Sequence, residues 1–135
     1  MGYDSVTEFL NFEDKYAILL ALTSNDGAVD FQLQNELYLS VVSESQKWEN
    51  SERIMYVVGA TKSDNLLKIR NVSEKSFLLI PGVGSQGGDF ENVILNSTQK
   101  NKRILVNISR AIIYAGNDEN FLDYSEKVVD HYNSR

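Results

Sequence analysis

The chain has 135 residues, enough for one domain that buries roughly 70% of the surface its unfolded form exposes. With 42% hydrophobic and 24% charged residues, one proline and eight glycines, it leaves no room for a disordered linker. A net charge of -6 argues against a nucleic-acid surface, the absence of cysteine excludes a disulfide framework, and no apolar run approaches the roughly 20 residues of a membrane span. The start, MGYDSVTEF, lacks a signal-peptide core, so a reducing, cytoplasmic setting is expected.

Ser5 and Glu8 have capping-box spacing, and Val6, Phe9 and Leu10 form an apolar face, which predicts a helix almost at the start. YAILLAL, from Tyr16 to Leu22, predicts a buried strand, ended by the polar turn Thr23, Ser24, Asn25, Asp26 and Gly27. A helix is expected from about Asp30 to Trp48, with Leu33, Leu37, Val41 and Trp48 along one side. The second unit begins with the strand IMYVV at Ile54, turns at Gly59, Ala60 and Thr61, and continues into a short helix capped by Ser63 and carrying Leu66, Leu67 and Ile69.

The third unit is the stretch FLLIPGVGSQGGD. Phe77 to Ile80 predict a strand buried on both faces, and Pro81 ends it. Gly82, Gly84, Gly87 and Gly88 follow, and Asp89 opens a helix with Phe90, Val93 and Ile94 at helical spacing. Unpaired N–H groups beside the positive end of a helix dipole are expected there, a geometry suited to phosphate. In the fourth unit, a buried strand from Arg103 to Ile108 runs directly into Ser109 and Arg110, and Phe121, Tyr124, Val128 and Tyr132 mark a last helix.

A helix followed by four strand-helix units implies an α/β fold of parallel strands with right-handed crossovers. Ligands in such folds sit at the carboxyl ends of the strands, so Ser24, Asn25, Thr61, Gln86, Ser109 and Arg110 are expected to converge on one rim. Gly82, Gly84 and Gly87 satisfy G-x-G-x-x-G, but a dinucleotide site needs an acidic residue about 20 positions on, where this chain has Val106, Asn107 and Ile108. The alternative places the last two units as strands 7 and 8 of a (β/α)8 barrel, whose loops commonly hold phosphate. Gln86 then offers an amide, Gly87 and Gly88 offer backbone N–H groups, and Arg110 offers a two-pronged cation. A rim salt bridge is the plainer role for Arg110. Lys62 at a strand end and His131 on the last helix read as rim and surface residues, and histidine triads and zinc sites lack the necessary ligands.

PGVGSQGG at Pro81 to Gly88, NISRAIIYA at Asn107 to Ala115, LTSNDG at Leu22 to Gly27 and YVVGATK at Tyr56 to Lys62 together resemble the last four strand-loop units of the orotidine 5'-phosphate decarboxylase family, of the longer bacterial type. The resemblance covers essentially the whole chain. It implies the C-terminal half of a TIM (β/α)8 barrel, residues 1–135 forming one half-barrel domain of four parallel strands with outer helices, preceded by the helix of the fourth unit. It implies conversion of orotidine 5'-phosphate to UMP and carbon dioxide, in pyrimidine synthesis, with no metal and no organic cofactor. By the same resemblance Gln86 and Arg110, with Gly87, Gly88 and Ser109 around them, match the phosphate site, Ser24 matches the serine that reads the pyrimidine edge, and Pro81 and Val83 match residues lining the base pocket. Asp26 and Ser85 are mild departures from the pattern.

The large departure is the family's catalytic array, an aspartate, lysine and aspartate cluster with a further aspartate from the partner subunit. No residue here matches it, so no catalytic residue is expected in this chain and the chain alone is expected to be inactive. Glycines, a glutamine and an arginine at a phosphate cannot stabilise charge at the pyrimidine C6 or deliver a proton there. The other reading is a non-catalytic, phosphate-ester-binding half barrel, truncated or engineered. A half barrel leaves two strand edges and one apolar sheet face uncovered, so self-association into a homo-oligomer, or pairing with an N-terminal half, is expected. The expected ligand is a nucleotide, with no nucleic-acid or membrane partner.

Overall fold

The computed structural model describes residues 2–84, 87–98 and 101–134. Its element order is α1 (Tyr3–Leu10), β1 (Ala17–Leu22), α2 (Leu37–Ser45), β2 (Ile54–Val58), α3 (Ser63–Val72), β3 (Leu78–Pro81), α4 (Phe90–Thr98), β4 (Ile104–Asn107), α5 (Arg110–Ile113) and α6 (Phe121–Asn133). The strands form one parallel sheet in the order β1-β2-β3-β4, so each crossover joins spatial neighbours and β1 and β4 are the two edges.

The register sorts the strand residues onto two faces. Ala17 and Leu19 of β1, Ile54 and Tyr56 of β2, and Leu78 and Ile80 of β3 share one face with Ile104 and Val106, and α2, α3 and α4 cover it. Tyr38 and Val42 of α2, Leu66 and Ile69 of α3 and Val93 of α4 complete this core. Each such apolar side chain contributes about 1.5–3 kcal/mol relative to leaving it exposed. The opposite face carries Ile18, Leu20, Met55, Val57, Leu79, Pro81, Leu105 and Asn107. Ile18 is 50%, Leu20 60% and Leu105 49% exposed.

That open face corrects the expectation of fully buried strands: in the stretch from Tyr16 to Leu22, Tyr16, Ile18 and Leu20 are exposed. β3 is not buried on both sides: Leu78 and Ile80 are buried, while Leu79 and Pro81 are half-buried, because the covering helices α2, α3 and α4 lie on the first face. Asn107 is likewise exposed and does not end a buried strand.

Two helix starts and the burial of a third helix also differ. α1 starts at Tyr3 with Gly2 as its N-cap, whose carbonyl accepts the Ser5 N–H, so Ser5 lies inside the first turn and forms no capping box. The helix expected from Asp30 is broken into short 3-10 turns, with left-handed backbone at Asn35 and Glu36, and becomes regular only at Leu37. Its buried face is Tyr38, Val42 and Ser45, and Leu37 is 46% exposed. The last helix has no buried residue, and Phe121, Leu122 and Tyr124 stand in solvent.

A candidate ligand rim at the strand ends

Each loop that follows a strand is tied to the next. After β1, the Gly59 N–H donates to the Leu22 carbonyl at 2.8 Å, and Thr61 Oγ1 donates to the Ser24 carbonyl at 3.0 Å, joining the first loop to the second. Thr23 is fixed from the other side, its N–H and Oγ1 both meeting Gln32 Oε1 at 2.7 and 3.0 Å. The second loop meets the third at Gly88, where an added Cβ would lie 2.4 Å from Ala60 Cβ and 2.7 Å from the Gly82 carbonyl oxygen. The third meets the fourth at Gly84, whose φ is +76° and whose Cβ would lie 3.2 Å from Ala111 Cβ. Ser24, Thr61, the glycine loop and the Ser109–Arg110 corner therefore form one continuous rim. From β1 to β4 it spans three strand spacings, roughly 14 Å along the sheet.

Within the rim the residues expected to bind differ in what they offer. The Arg110 guanidinium is exposed and makes no hydrogen bond or ion pair among the described residues, which removes the rim salt bridge as its role there. Ser109 Oγ donates to Asn107 Oδ1 at 2.9 Å. Gly87 is exposed and Gly88 buried, but the expectation of unpaired N–H groups does not hold for either. Gly87 donates to Gly84 O at 2.8 Å, Gly88 to Gly82 O at 3.1 Å and Gly84 to Gly88 O at 3.2 Å, because the loop closes on itself around the bridge between Val83 and Gly88. The first turn of α4 is also taken, since Asp89 Oδ1 accepts the N–H groups of Glu91 at 2.9 Å and Asn92 at 3.3 Å. A phosphate placed on that terminus would meet a carboxylate, so the cation of Arg110 is the feature that attracts an anion.

Pro81 sits on the open face, opposite Asn107 in register, whereas Val83 is 3% exposed and packed in the core, so its side chain does not line the rim. Ser24 is half-buried at the far end. Gln86 lies outside the described residues. Lys62 is half-buried at the N-cap of α3, and His131 is exposed with its ring against Tyr132. Among the described residues there is no cluster of His, Cys, Asp or Glu able to hold a metal and no helix long and apolar enough to cross a membrane. The Gln32 tether was not legible in the sequence, because a half-buried glutamine in an irregular turn carries no periodic signal.

Four consecutive parallel strands, helices on one face, an open apolar face and a polar rim at the carboxyl ends define half of a (β/α)8 barrel. The relatedness is to orotidine 5'-phosphate decarboxylases, and this chain matches their C-terminal half. It is 52% identical over 127 residues to the enzyme of Christiangramia forsetii, covering 91% of this chain and 47% of that one, and 49% identical over 127 residues to that of Flavobacterium johnsoniae, covering 91% and 46%. The chain thus spans about half the length of the curated relatives it matches. No protein-family model matches it. Among solved structures it resembles a UMP synthase of Leishmania donovani, with a TM-score of 0.82 and 26% identity over 99% of this chain and 31% of that one. It also resembles the orotidine 5'-monophosphate decarboxylase of Methanocaldococcus jannaschii complexed with the inhibitor BMP, with a TM-score of 0.68 and 26% identity over 96% of this chain and 54% of that one.

Proposed function

We propose that this chain is the phosphate- and pyrimidine-holding half of an orotidine 5'-phosphate decarboxylase, acting in the cytoplasm on orotidine 5'-phosphate to give UMP and carbon dioxide. The observation that carries the reading is the continuous rim ending in Arg110, unpaired among the described residues, in a chain whose curated relatives bear that name. Arg110 takes the phosphate, with Ser109 at the corner, and Gln86 is the second phosphate ligand that the family resemblance implies. Gly87 and Gly88 shape the loop, and with their own N–H groups engaged they leave the charge to Arg110. At the other end Ser24 reads the pyrimidine edge, and Pro81 gives the base an apolar wall from the open face. Each charge-assisted hydrogen bond contributes on the order of 1.5–3 kcal/mol, so two or three at the phosphate dominate recognition.

No described residue matches the aspartate and lysine array that the C6 chemistry needs, so in this reading the isolated chain is inactive and needs a partner over its open face. The partner that fits is an N-terminal half barrel. Its edge strands would pair with β1 and β4, and its inner side chains would meet Ile18, Leu20, Leu79 and Leu105. Both edges already carry clefts. One, of about 300 Å³, is lined by Val6 and Phe9 of α1 with Tyr16 to Leu19; the other, of about 530 Å³, by Phe90, Val106 to Ile108, Ile112, Val129, Tyr132 and Asn133. Association of two copies is the other way to cover the face.

Calorimetric titration with UMP beside uridine tests the reading. Binding of UMP but not uridine, abolished in Arg110→Ala, is the expected result. Adding the N-terminal half of the Christiangramia forsetii relative should then restore decarboxylation. UMP binding indifferent to Arg110, or a restored complex without activity, would sink it.

A further inference from the structure

Along the open face, the strand residues Ile18, Leu20, Met55, Val57, Leu79, Pro81 and Leu105 are all apolar, and Asn107 is the one polar side chain in the set. It is the last residue of β4, opposite Pro81 in register and three positions before Arg110. An amide carries one oxygen acceptor and two N–H donors. Ser109 Oγ occupies the oxygen at 2.9 Å, and the Asn107 side chain makes no other hydrogen bond among the described residues. That contact engages the oxygen and leaves the Nδ2 donors without a protein partner among the described residues, on an exposed residue whose in-register neighbours on the open face are apolar. Once the open face is covered, an amide there without an acceptor would cost on the order of 1–3 kcal/mol, which makes it an unfavourable place for asparagine unless something accepts from it.

We infer that Asn107 is a ligand-reading residue, its Nδ2 donating to an oxygen of the nucleoside part of a bound nucleotide, between the base wall at Pro81 and the phosphate at Arg110. The inference rests on the nucleotide reading above and adds to it a specificity determinant that acts through neither the phosphate nor the Ser24 end. Its acceptor is a sugar hydroxyl or a base carbonyl. Inorganic phosphate lacks both, and Arg110 takes that group.

The test uses the whole chain labelled with nitrogen-15. On titration with UMP, the Asn107 side-chain amide pair is expected to shift together with the backbone signals of Arg110 and Gly87, and on titration with inorganic phosphate the Arg110 and Gly87 signals should shift alone. Asn107→Ala should weaken UMP about tenfold and leave inorganic phosphate binding unchanged. If UMP moves the Arg110 and Gly87 signals but not the Asn107 amide, or if Asn107→Ala binds UMP like the wild type, the inference is overturned and the nucleotide reading stands. If UMP moves none of these signals, the nucleotide reading fails and the inference fails with it.

Discussion

The Arg70 Nε–H donates to the main-chain carbonyl of Ser97 at 3.0 Å, deep beneath the sheet, and the rest of the guanidinium is spent in the same way. One terminal nitrogen donates to the carbonyls of Ser73, Glu74 and Ser76 at 3.3, 3.3 and 2.7 Å, and the other to that of Arg103 at 3.0 Å. These carbonyls lie at the ends of α3 and α4 and at the approaches to β3 and β4, on the side of the sheet away from the rim. A fully buried cation is thus compensated by carbonyl dipoles, with no ion-pair partner among the described residues. Desolvation, and secondarily the charge of Arg103, lowers its pKa from the ordinary arginine value. Removing the fork strands several buried acceptors at once, and each unsatisfied group costs about 1–3 kcal/mol. Arg70→Met should therefore destabilise the chain by roughly 3 kcal/mol or more, read as a lower urea midpoint. Arg70→Lys, a point donor in place of a planar fork, should recover only part of the loss.

The glycine loop makes a sharper contrast between two neighbours. Gly88→Ala drives a methyl into Ala60 Cβ and the Gly82 carbonyl, a backbone obstacle that cannot rotate away. Gly87→Ala meets nothing within 4 Å and carries only the strain of φ +83°, about 1–2 kcal/mol. Titration with UMP should show Gly88→Ala without binding and Gly87→Ala weakened by no more than about thirtyfold. Equal losses in the two variants would mean that the loop's shape is not set by the contact with Ala60.

Much of this was legible in the chain, for a reason particular residues show. Val58, Ile80 and Val106 each stand beside a glycine or polar turn, so four apolar runs with turn signals fixed the parallel order and put Ser24, Thr61 and Arg110 at one end. Periodicity failed where the backbone left it: left-handed Asn35 and Glu36 break the second helix and turn Tyr38 and Val42 inward in place of Leu37 and Val41. Composition could not show that Gly87 and Gly88 spend their N–H groups within the loop, since the same glycines suit an open cradle and a closed one. Arg70 was invisible for a related reason. A cation satisfied by main-chain carbonyls leaves no acidic partner to find in the sequence.

The open face gives a prediction about association. Leu20 and Leu105 are about half exposed or more, and both lie where a covering sheet would pack. The double substitution Leu20→Asp and Leu105→Asp removes apolar contact area from that face without entering the core beneath α2, α3 and α4. Circular dichroism should show an unchanged fold, and light scattering should show a smaller particle than the wild-type chain at equal concentration. The variant should also fail to pair with an N-terminal half barrel. An unchanged particle mass together with normal pairing would mean that partners meet this chain elsewhere.

Tyr56 links the sheet to the pH dependence of stability. Its ring is fully buried on β2, and its hydroxyl lies 2.7 Å from Ser45 Oγ and accepts the Gln46 side-chain amide at 2.7 Å, with Gln46 also donating to Ser76 Oγ at 3.2 Å. Burial raises its pKa above the ordinary 10.0, and the bonds from Ser45 and Gln46 oppose that only in part. The folded chain therefore keeps this proton at pH values where the unfolded chain has lost it. The associated stability is fully present below about pH 10 and is lost as pH rises through the folded-state value. Tyr56→Phe should be less stable than wild type near neutrality by about 1 kcal/mol, having lost the hydroxyl's bonds. It should also lack this alkaline component, so the gap between the two urea midpoints should narrow as pH is raised from 9 to 11. Midpoints that fall in parallel over that range would show that the Tyr56 proton does not contribute to the alkaline loss of stability.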